Sequence, residues 1–268
     1  MEGRCRMSSD LGRLFHMKRM FRNDNRCFVV AMDHGQVMGP LPGIVDPGPT
    51  IRAVIRGGAD AVMTTIGIAE RYGSLIAGNA SFIFSSPAVA NMGPTVDLAV
   101  RSGADALRLF VSITGGDDSE IMDSLWSASI ACKERGLPLL AEIYPRKSEQ
   151  IPNPTDGDVI AKYSRIGAES GADFVKTFYT GNVDSFRHVV ESCPVPVIVL
   201  GGLKMETDRQ ALQVVKESME AGAAGVAFGR NVWQNKNPEG ITRAIAGIIH
   251  KGWSVEEGLG KLHTSTKK

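Results

Sequence analysis

The chain has 268 residues, 43% hydrophobic and 22% charged, enough apolar material for one large core or two small ones. Thirty Lys and Arg against 29 Asp and Glu leave a net charge of +1, with no basic stripe or arm, which argues against nucleic acid as a partner. No uncharged run approaches the ~20 residues needed to cross a bilayer, and the first twenty residues hold no apolar signal core, so no membrane association is expected.

In chain order, residues 8–22 read as a helix ahead of the first strand candidate, CFVVAM (27–32). A phrase then recurs: GGADAVMTT (57–65), SGADALRLF (102–110), SGADFVKTF (170–178) and AGAAGVAFG (221–229). Its glycine suits a helix end that needs left-handed backbone, and its apolar run suits a parallel strand covered on both faces. SFIFS (81–85), PLLAEIY (138–144) and VPVIVL (195–200) fill the gaps, which makes eight strand candidates. Residues 119–135 and 205–221 carry apolar groups at helical spacing, each run closed by a glycine.

Strand and helix alternating eight times over this length predict an α/β fold, a (β/α)8 TIM barrel, typically about 250 residues. The whole chain, 1–268, then forms one domain: an N-terminal cap at about 8–22 closing the barrel bottom, the barrel at about 27–250, and a tail at 251–268. A doubly wound open sheet is weaker, because no G-x-G-x-x-G follows the first strand. Cys5, Cys27, Cys132 and Cys193 are scattered without a C-x-x-C and read as free thiols in a reducing cytoplasm. The five histidines, His16, His34, His188, His250 and His263, lack ligand spacing, so neither a metal nor another cofactor is expected.

A TIM barrel places its chemistry at the C-terminal ends of the strands. Those ends carry Asp33 and His34, Arg108, Glu142 with Tyr144, Lys176, Gly201 and Gly202 with Lys204 beyond, and Gly229 with Arg230. Lys176 sits inside an apolar run, FVKTF, where an unpaired charge costs several kcal/mol. A desolvated lysine supplies a free amine able to attack a carbonyl and form a Schiff base; a buried ion pair is the alternative. Asp33 and Tyr144 are suited to proton transfer, against the alternatives of a turn cap and rim packing. Arg108 and Glu142 are expected to neutralise one another, with substrate contact by Arg108 as the lesser expectation, and His34 to support by hydrogen bonding. LGGLK followed by FGRN suggests an anion site made of glycine backbone with Lys204 and Arg230.

AMDHG, EIYPR, DFVKTFYTG, LGGLK and FGRN, in this order, resemble the archaeal-type class I fructose-bisphosphate aldolases of the deoxyribose-phosphate aldolase superfamily, over about residues 10–250. The resemblance implies a barrel, a Schiff base at Lys176, proton handling by Asp33 and Tyr144, and a sugar-phosphate site at Gly201, Gly202, Gly229 and Arg230. It also implies a homo-oligomer built on pentamers, commonly a decamer. Deoxyribose-phosphate aldolase has a lysine just before the seventh-strand glycine pair, whereas this chain reads IVLGG, which disfavours that substrate. The expected reaction is metal-independent cleavage or formation of a phosphorylated ketose, with fructose 1,6-bisphosphate giving dihydroxyacetone phosphate as the first expectation. Similar families include the synthases of 2-amino-3,7-dideoxy-D-threo-hept-6-ulosonate, which exchange aldol partners, and a thiolase acting on a phosphorylated pentanedione with coenzyme A. A phosphosugar-binding protein without turnover is the reading outside enzymes. Residues 37–48 and 151–159 are expected to shape specificity.

Overall fold

A computed structural model describes residues 8–86 and 91–262; Cys5, His263 and the end of the expected tail, 263–268, lie outside them. Helix α1 (Ser8–Met20) leads into β1 (Cys27–Ala31), followed by a single turn, α2 (Gly35–Met38), and α3 (Pro47–Gly57). Next come β2 (Ala61–Thr64), α4 (Ile66–Ile76), β3 (Ser81–Ser85), α5 (Met92–Arg101), β4 (Ala106–Ile113) and α6 (Ser119–Arg135). The alternation continues through β5 (Leu139–Pro145), α7 (Gly157–Glu169), β6 (Phe174–Thr177), α8 (Val183–Ser192), β7 (Val197–Leu200), α9 (Asp208–Glu220) and β8 (Gly225–Phe228). Short α10 (Arg230–Trp233), then α11 (Pro238–Lys251) and α12 (Val255–Lys261), complete the chain. Each strand pairs in parallel with the next, and β8 pairs with β1, so the sheet closes as the eightfold alternation predicts.

The recurring phrase marks the turn from helix to strand. Gly58, Gly103, Gly171 and Gly222 all take positive φ, between 73° and 97°, where a side chain would strain the backbone. At β8 the barrel demands glycine for space as well: a Cβ on Gly225 would lie 1.8 Å from the Cys27 carbonyl oxygen.

The aspartate of the phrase works at the bottom of the barrel. Asp60, Asp105 and Asp173 each accept the backbone N–H at the start of a neighbouring strand, Phe28, Phe82 and Leu139 respectively, through one carboxylate oxygen. The other oxygen faces cations carried by α1 and the residues after it. Arg13 binds Asp173, Arg19 donates to Asp105 at 2.7 Å beside His16, and Arg22 binds Asp60. Arg13, His16 and Arg19 recur every third residue, within about a third of the helix circumference, and Arg22 follows just after the helix ends. Met20 and Phe21 plug the barrel interior between these clasps, Phe21 meeting Phe174 edge to face at 5.5 Å. The expected cap therefore closes the bottom by charge as well as by apolar packing.

Residues 251–268, expected as a tail, include a helix instead. Ser254 and Glu257 form a capping box that starts α12, which packs Val255 and Leu262 into the core. Cys27, Cys132 and Cys193 are buried free thiols, and burial pushes Cys132 up to about 12, so they are poor nucleophiles. No helix among the described residues is long and apolar enough to cross a membrane.

His250 joins the bottom network, its ring nitrogens 2.8 Å from Asp24 and 2.9 Å from Asp60. Burial works against its charge, but the two carboxylates prevail and its pKa is raised. The stabilisation is then full below the unfolded value of about 6.5 and is lost as pH rises through the folded value. Replacing His250 by Gln is expected to cost roughly 1–2 kcal/mol at pH 5.5 and to flatten the decline of Tm above pH 6.5, read by thermal melts across pH.

Candidate active site

Strand alternation decides which side chains enter the barrel. In β5, Leu139, Ala141 and Ile143 join the core shared with the helices, whereas Leu140 packs with the interior set. Glu142 and Tyr144 follow Leu140 inward. By the same count Lys176 follows Phe174, Arg108 and Phe110 follow Ala106, Ser85 follows Ile83, and Gly229 follows Ala227. Register then makes neighbours of Ser85 and Arg108, and of Glu142 and Lys176.

Apart from Ser85, which sits behind them, these groups line a cleft of about 480 Å³ at the C-terminal ends of the strands. A larger hollow of about 780 Å³ lies at the opposite end, beside α4, but its Arg19, Arg22, Asp60 and Asp105 are already paired with one another. The titratable cluster that could act on a ligand is in the C-terminal cleft.

Two carboxylates and two cations occupy its floor. Lys176 Nζ lies 2.7 Å from Glu142 Oε1, and Arg108 Nε donates to Glu142 Oε2 at 2.5 Å. Arg108 Nη1 is 3.7 Å from Asp33 Oδ2, which also accepts a 2.6 Å hydrogen bond from the Ser85 hydroxyl. Sequence reasoning paired Glu142 with Arg108 alone; the carboxylate in fact holds the lysine too. Lys176, 5% exposed, is thus not stranded in an apolar strand, and desolvation alone does not describe it. The signal for this contact was the inward count on β5 and β6, but only register places the two residues side by side.

The cluster sets its own charge. Burial would raise the Asp33 pKa, yet the neighbouring His34, Arg108, Lys176 and Ser85 hold it well below the usual carboxylate range. Glu142 is likewise lowered: burial opposes ionisation, and Lys176 and Arg108 outweigh both burial and the repulsion of Asp33. Arg108 is raised, since Glu142 and Asp33 overcome its desolvation. His34 Nδ1 stands 3.5 Å from Asp33 Oδ1, beyond good hydrogen-bond length, with its ring edge-on to Trp233.

Tyr144 forms the wall, its ring 5.3 Å from Phe110 and 4.6 Å from Phe178. Arg146 lies over the same ring and donates to Ser112 Oγ at 2.5 Å. At the other side Gly201, Gly202, Gly229 and Arg230 line the cleft. Gly229 admits no side chain, because a Cβ would come within 2.7 Å of His34 Cε1 and 2.8 Å of the Ala31 carbonyl oxygen. The Arg230 Nε is buried without a hydrogen-bond partner, a donor left for an anion to satisfy. Lys204 is not part of the lining; its ammonium stands 3.9 Å from Asp208.

Asn231, to which sequence reasoning gave no role, ties the two glycine loops together. Fully buried, its amide donates to the carbonyls of Gly201 (2.8 Å) and Leu203 (3.1 Å), and its oxygen accepts the Met205 N–H at 2.8 Å. Of the two stretches expected to shape specificity, 37–48 supplies Val37 and Met38 to the cleft mouth, and 151–159 supplies none of the lining. That second stretch turns into α7 instead: Ile151 is buried, and Asp156 caps the helix through the N–H groups of Asp158 and Val159. Among the described residues no group of three or more His, Cys, Asp or Glu is arranged to hold a metal ion.

Residues 27–235 match the family model described as DeoC/LacD family aldolase. The chain is 34% identical over 264 residues to a 2-amino-3,7-dideoxy-D-threo-hept-6-ulosonate synthase of Halobacterium salinarum, covering 94% of this chain and 97% of that protein. An archaeal fructose 1,6-bisphosphate aldolase crystal structure superposes with a TM-score of 0.80 at 31% identity, over 90% of this chain and 100% of that one. A further archaeal aldolase structure, solved with its catalytic lysine covalently bound to the carbinolamine intermediate, gives a TM-score of 0.78 at 30% identity, over 88% and 99% of the two chains. With these matches running through the strands that carry the cleft, the chain belongs to the DeoC/LacD aldolase family and is an aldolase of the class I kind.

Proposed function

We propose that the protein makes or breaks a carbon–carbon bond in a phosphorylated ketose through a Schiff base on Lys176. The observation that carries this is a buried lysine at the catalytic end of the barrel, in a cleft with Asp33 and Tyr144 and with unsatisfied donor capacity at Arg230. In the cleavage direction the Lys176 amine attacks the C2 carbonyl, and loss of water leaves an iminium. Asp33, held ionised by its neighbours, accepts the C4 hydroxyl proton as the C3–C4 bond breaks and its electrons move into the enamine. Tyr144 protonates the enamine carbon, and hydrolysis frees the ketone and the lysine. Gly201, Gly202, Gly229 and Arg230 bind the phosphate, with Arg108 holding the cluster rather than the substrate.

Fructose 1,6-bisphosphate, giving dihydroxyacetone phosphate, suits a cleft with cationic groups at both sides, Arg230 and Arg146. The second reading is transfer of the donor half to another acceptor. It is supported by the synthase relative, whose name describes a hept-6-ulosonate product and which matches nearly end to end. Product analysis with and without added acceptor aldehydes separates the two.

Borohydride reduction with dihydroxyacetone phosphate is expected to leave a covalent adduct on Lys176, found by peptide mapping; an unmodified lysine with every phosphorylated ketone tried defeats the proposal. Lys176→Met is expected to fold and to lose turnover and adduct together. Tyr144→Phe is expected to slow exchange of the dihydroxyacetone phosphate C3 proton by roughly 100-fold or more with little change in Kd. Asn231→Ala strands two carbonyls and one N–H, a cost on the order of 3 kcal/mol; urea unfolding reads that loss, and a KM raised more than kcat is lowered reads the loosened phosphate loops.

A further inference from the structure

Lys176 raises a chemical difficulty that the reaction above leaves open. An ammonium held by a carboxylate is no nucleophile, so a group within reach must first take its proton. Neither Asp33 nor Tyr144 makes a hydrogen bond or ion pair to Nζ among the described residues; Glu142 does, at 2.7 Å. We propose that Glu142 is a further catalytic residue, the base that frees the Lys176 amine for attack and the acid that expels the carbinolamine hydroxyl as water. This role rests on the Schiff-base reading of Lys176.

The steps balance. Glu142 Oε1 takes one proton from the ammonium, leaving a neutral amine and a neutral carboxyl. Nitrogen bonds to the carbonyl carbon, and the π electrons move to oxygen. That oxygen gains the Glu142 proton, while the nitrogen returns one to the carboxylate. Glu142 then protonates the hydroxyl, the C–O bond breaks to release water, and the nitrogen lone pair forms the iminium. Three ammonium protons end as one on the iminium and two in water, and Glu142 is again ionised.

Arg108 is the positioning residue for this exchange. Its Nε holds Oε2, which turns Oε1 toward Nζ. The surroundings also stay neutral at each stage. Before attack, Lys176 and Arg108 balance Glu142 and Asp33. After the first proton transfer Arg108 balances Asp33, and once the iminium forms both pairs are restored. When Asp33 takes the C4 hydroxyl proton and the enamine appears, Arg108 balances Glu142. No stage leaves a buried charge without its opposite, which would cost several kcal/mol.

Rapid-mixing borohydride trapping with dihydroxyacetone phosphate tests the role across pH 6–10 in the unaltered protein, Glu142→Gln and Glu142→Asp. Gln is expected to slow adduct formation on Lys176 by roughly 100-fold or more at pH 7, with the rate recovering toward pH 10 as hydroxide replaces the missing base. Trapping as fast as in the unaltered protein overturns the proposal, and so does a loss of equal size at every pH, which marks a structural role. Where Gln fails to fold by circular dichroism, Asp keeps the charge and withdraws the reach: slower trapping with unchanged Kd supports Glu142, and unchanged trapping overturns it. Absence of an adduct in the unaltered protein is a different failure, one that removes the Schiff base itself.

Discussion

The barrel centre holds two carboxylates and two cations where water is scarce, and the carboxylates depend on their cationic neighbours to stay ionised. Burying a lone charge costs far more than burying a bonded pair, so the four side chains stand or fall together. Asp33 stays ionised because Arg108, Lys176, His34 and Ser85 surround it, and Glu142 because Lys176 and Arg108 do. The fold serves this requirement directly: four strands bring the groups inward, and register sets the lysine beside the glutamate. Chemistry in such a place has to move protons between partners already present.

The apolar interior supports that cluster from below. Val29, Met63, Ile83, Leu140, Phe174 and Ile198 fill the barrel beneath it, and Met20 and Phe21 close the lower end. Water therefore reaches the charges from the cleft side. The glycine loops form the opposing rim, and Asn231 on the second loop ties down the first through the Gly201 and Leu203 carbonyls. A rim of glycine backbone offers N–H groups to an anion without side chains in the way.

Much of this was legible in the residues, for identifiable reasons. Four recurrences of a glycine-led apolar phrase, with four more apolar runs between and before them, pointed to eight strands, and Lys176 stood out because a charge in FVKTF demands an explanation. Asp33, Tyr144 and Gly229 followed from strand ends alone. What stayed hidden depended on relations between distant segments. Glu142 looked committed to Arg108 because nothing in a linear sequence reports that β5 and β6 pair Glu142 with Lys176. The pairing of Arg13, Arg19 and Arg22 with the aspartates of the recurring phrase also joins segments far apart in the chain, and only the closed barrel bottom brings them together. Lys204 looked well placed after its glycines, yet its side chain turns to Asp208. Ser254 and Glu257 carried a capping signal that a reading focused on barrel strands passed over.

The clasps under the barrel carry a consequence for how the chain assembles. Arg22, Arg19 and Arg13 meet Asp60, Asp105 and Asp173, partners that lie 38, 86 and 160 residues away. The order along the helix runs opposite to the order along the rest of the chain. As synthesis proceeds, the first aspartate to emerge belongs to the arginine nearest the barrel, and each later one belongs to an arginine farther back. The clasps can thus close backward, from Arg22 through Arg19 to Arg13, as each pair of strands is added, with every contact shortening the loop the next must close. The outermost clasp, Arg13 on Asp173, can close only once the chain has been made up to the residue that opens the strand bearing Lys176.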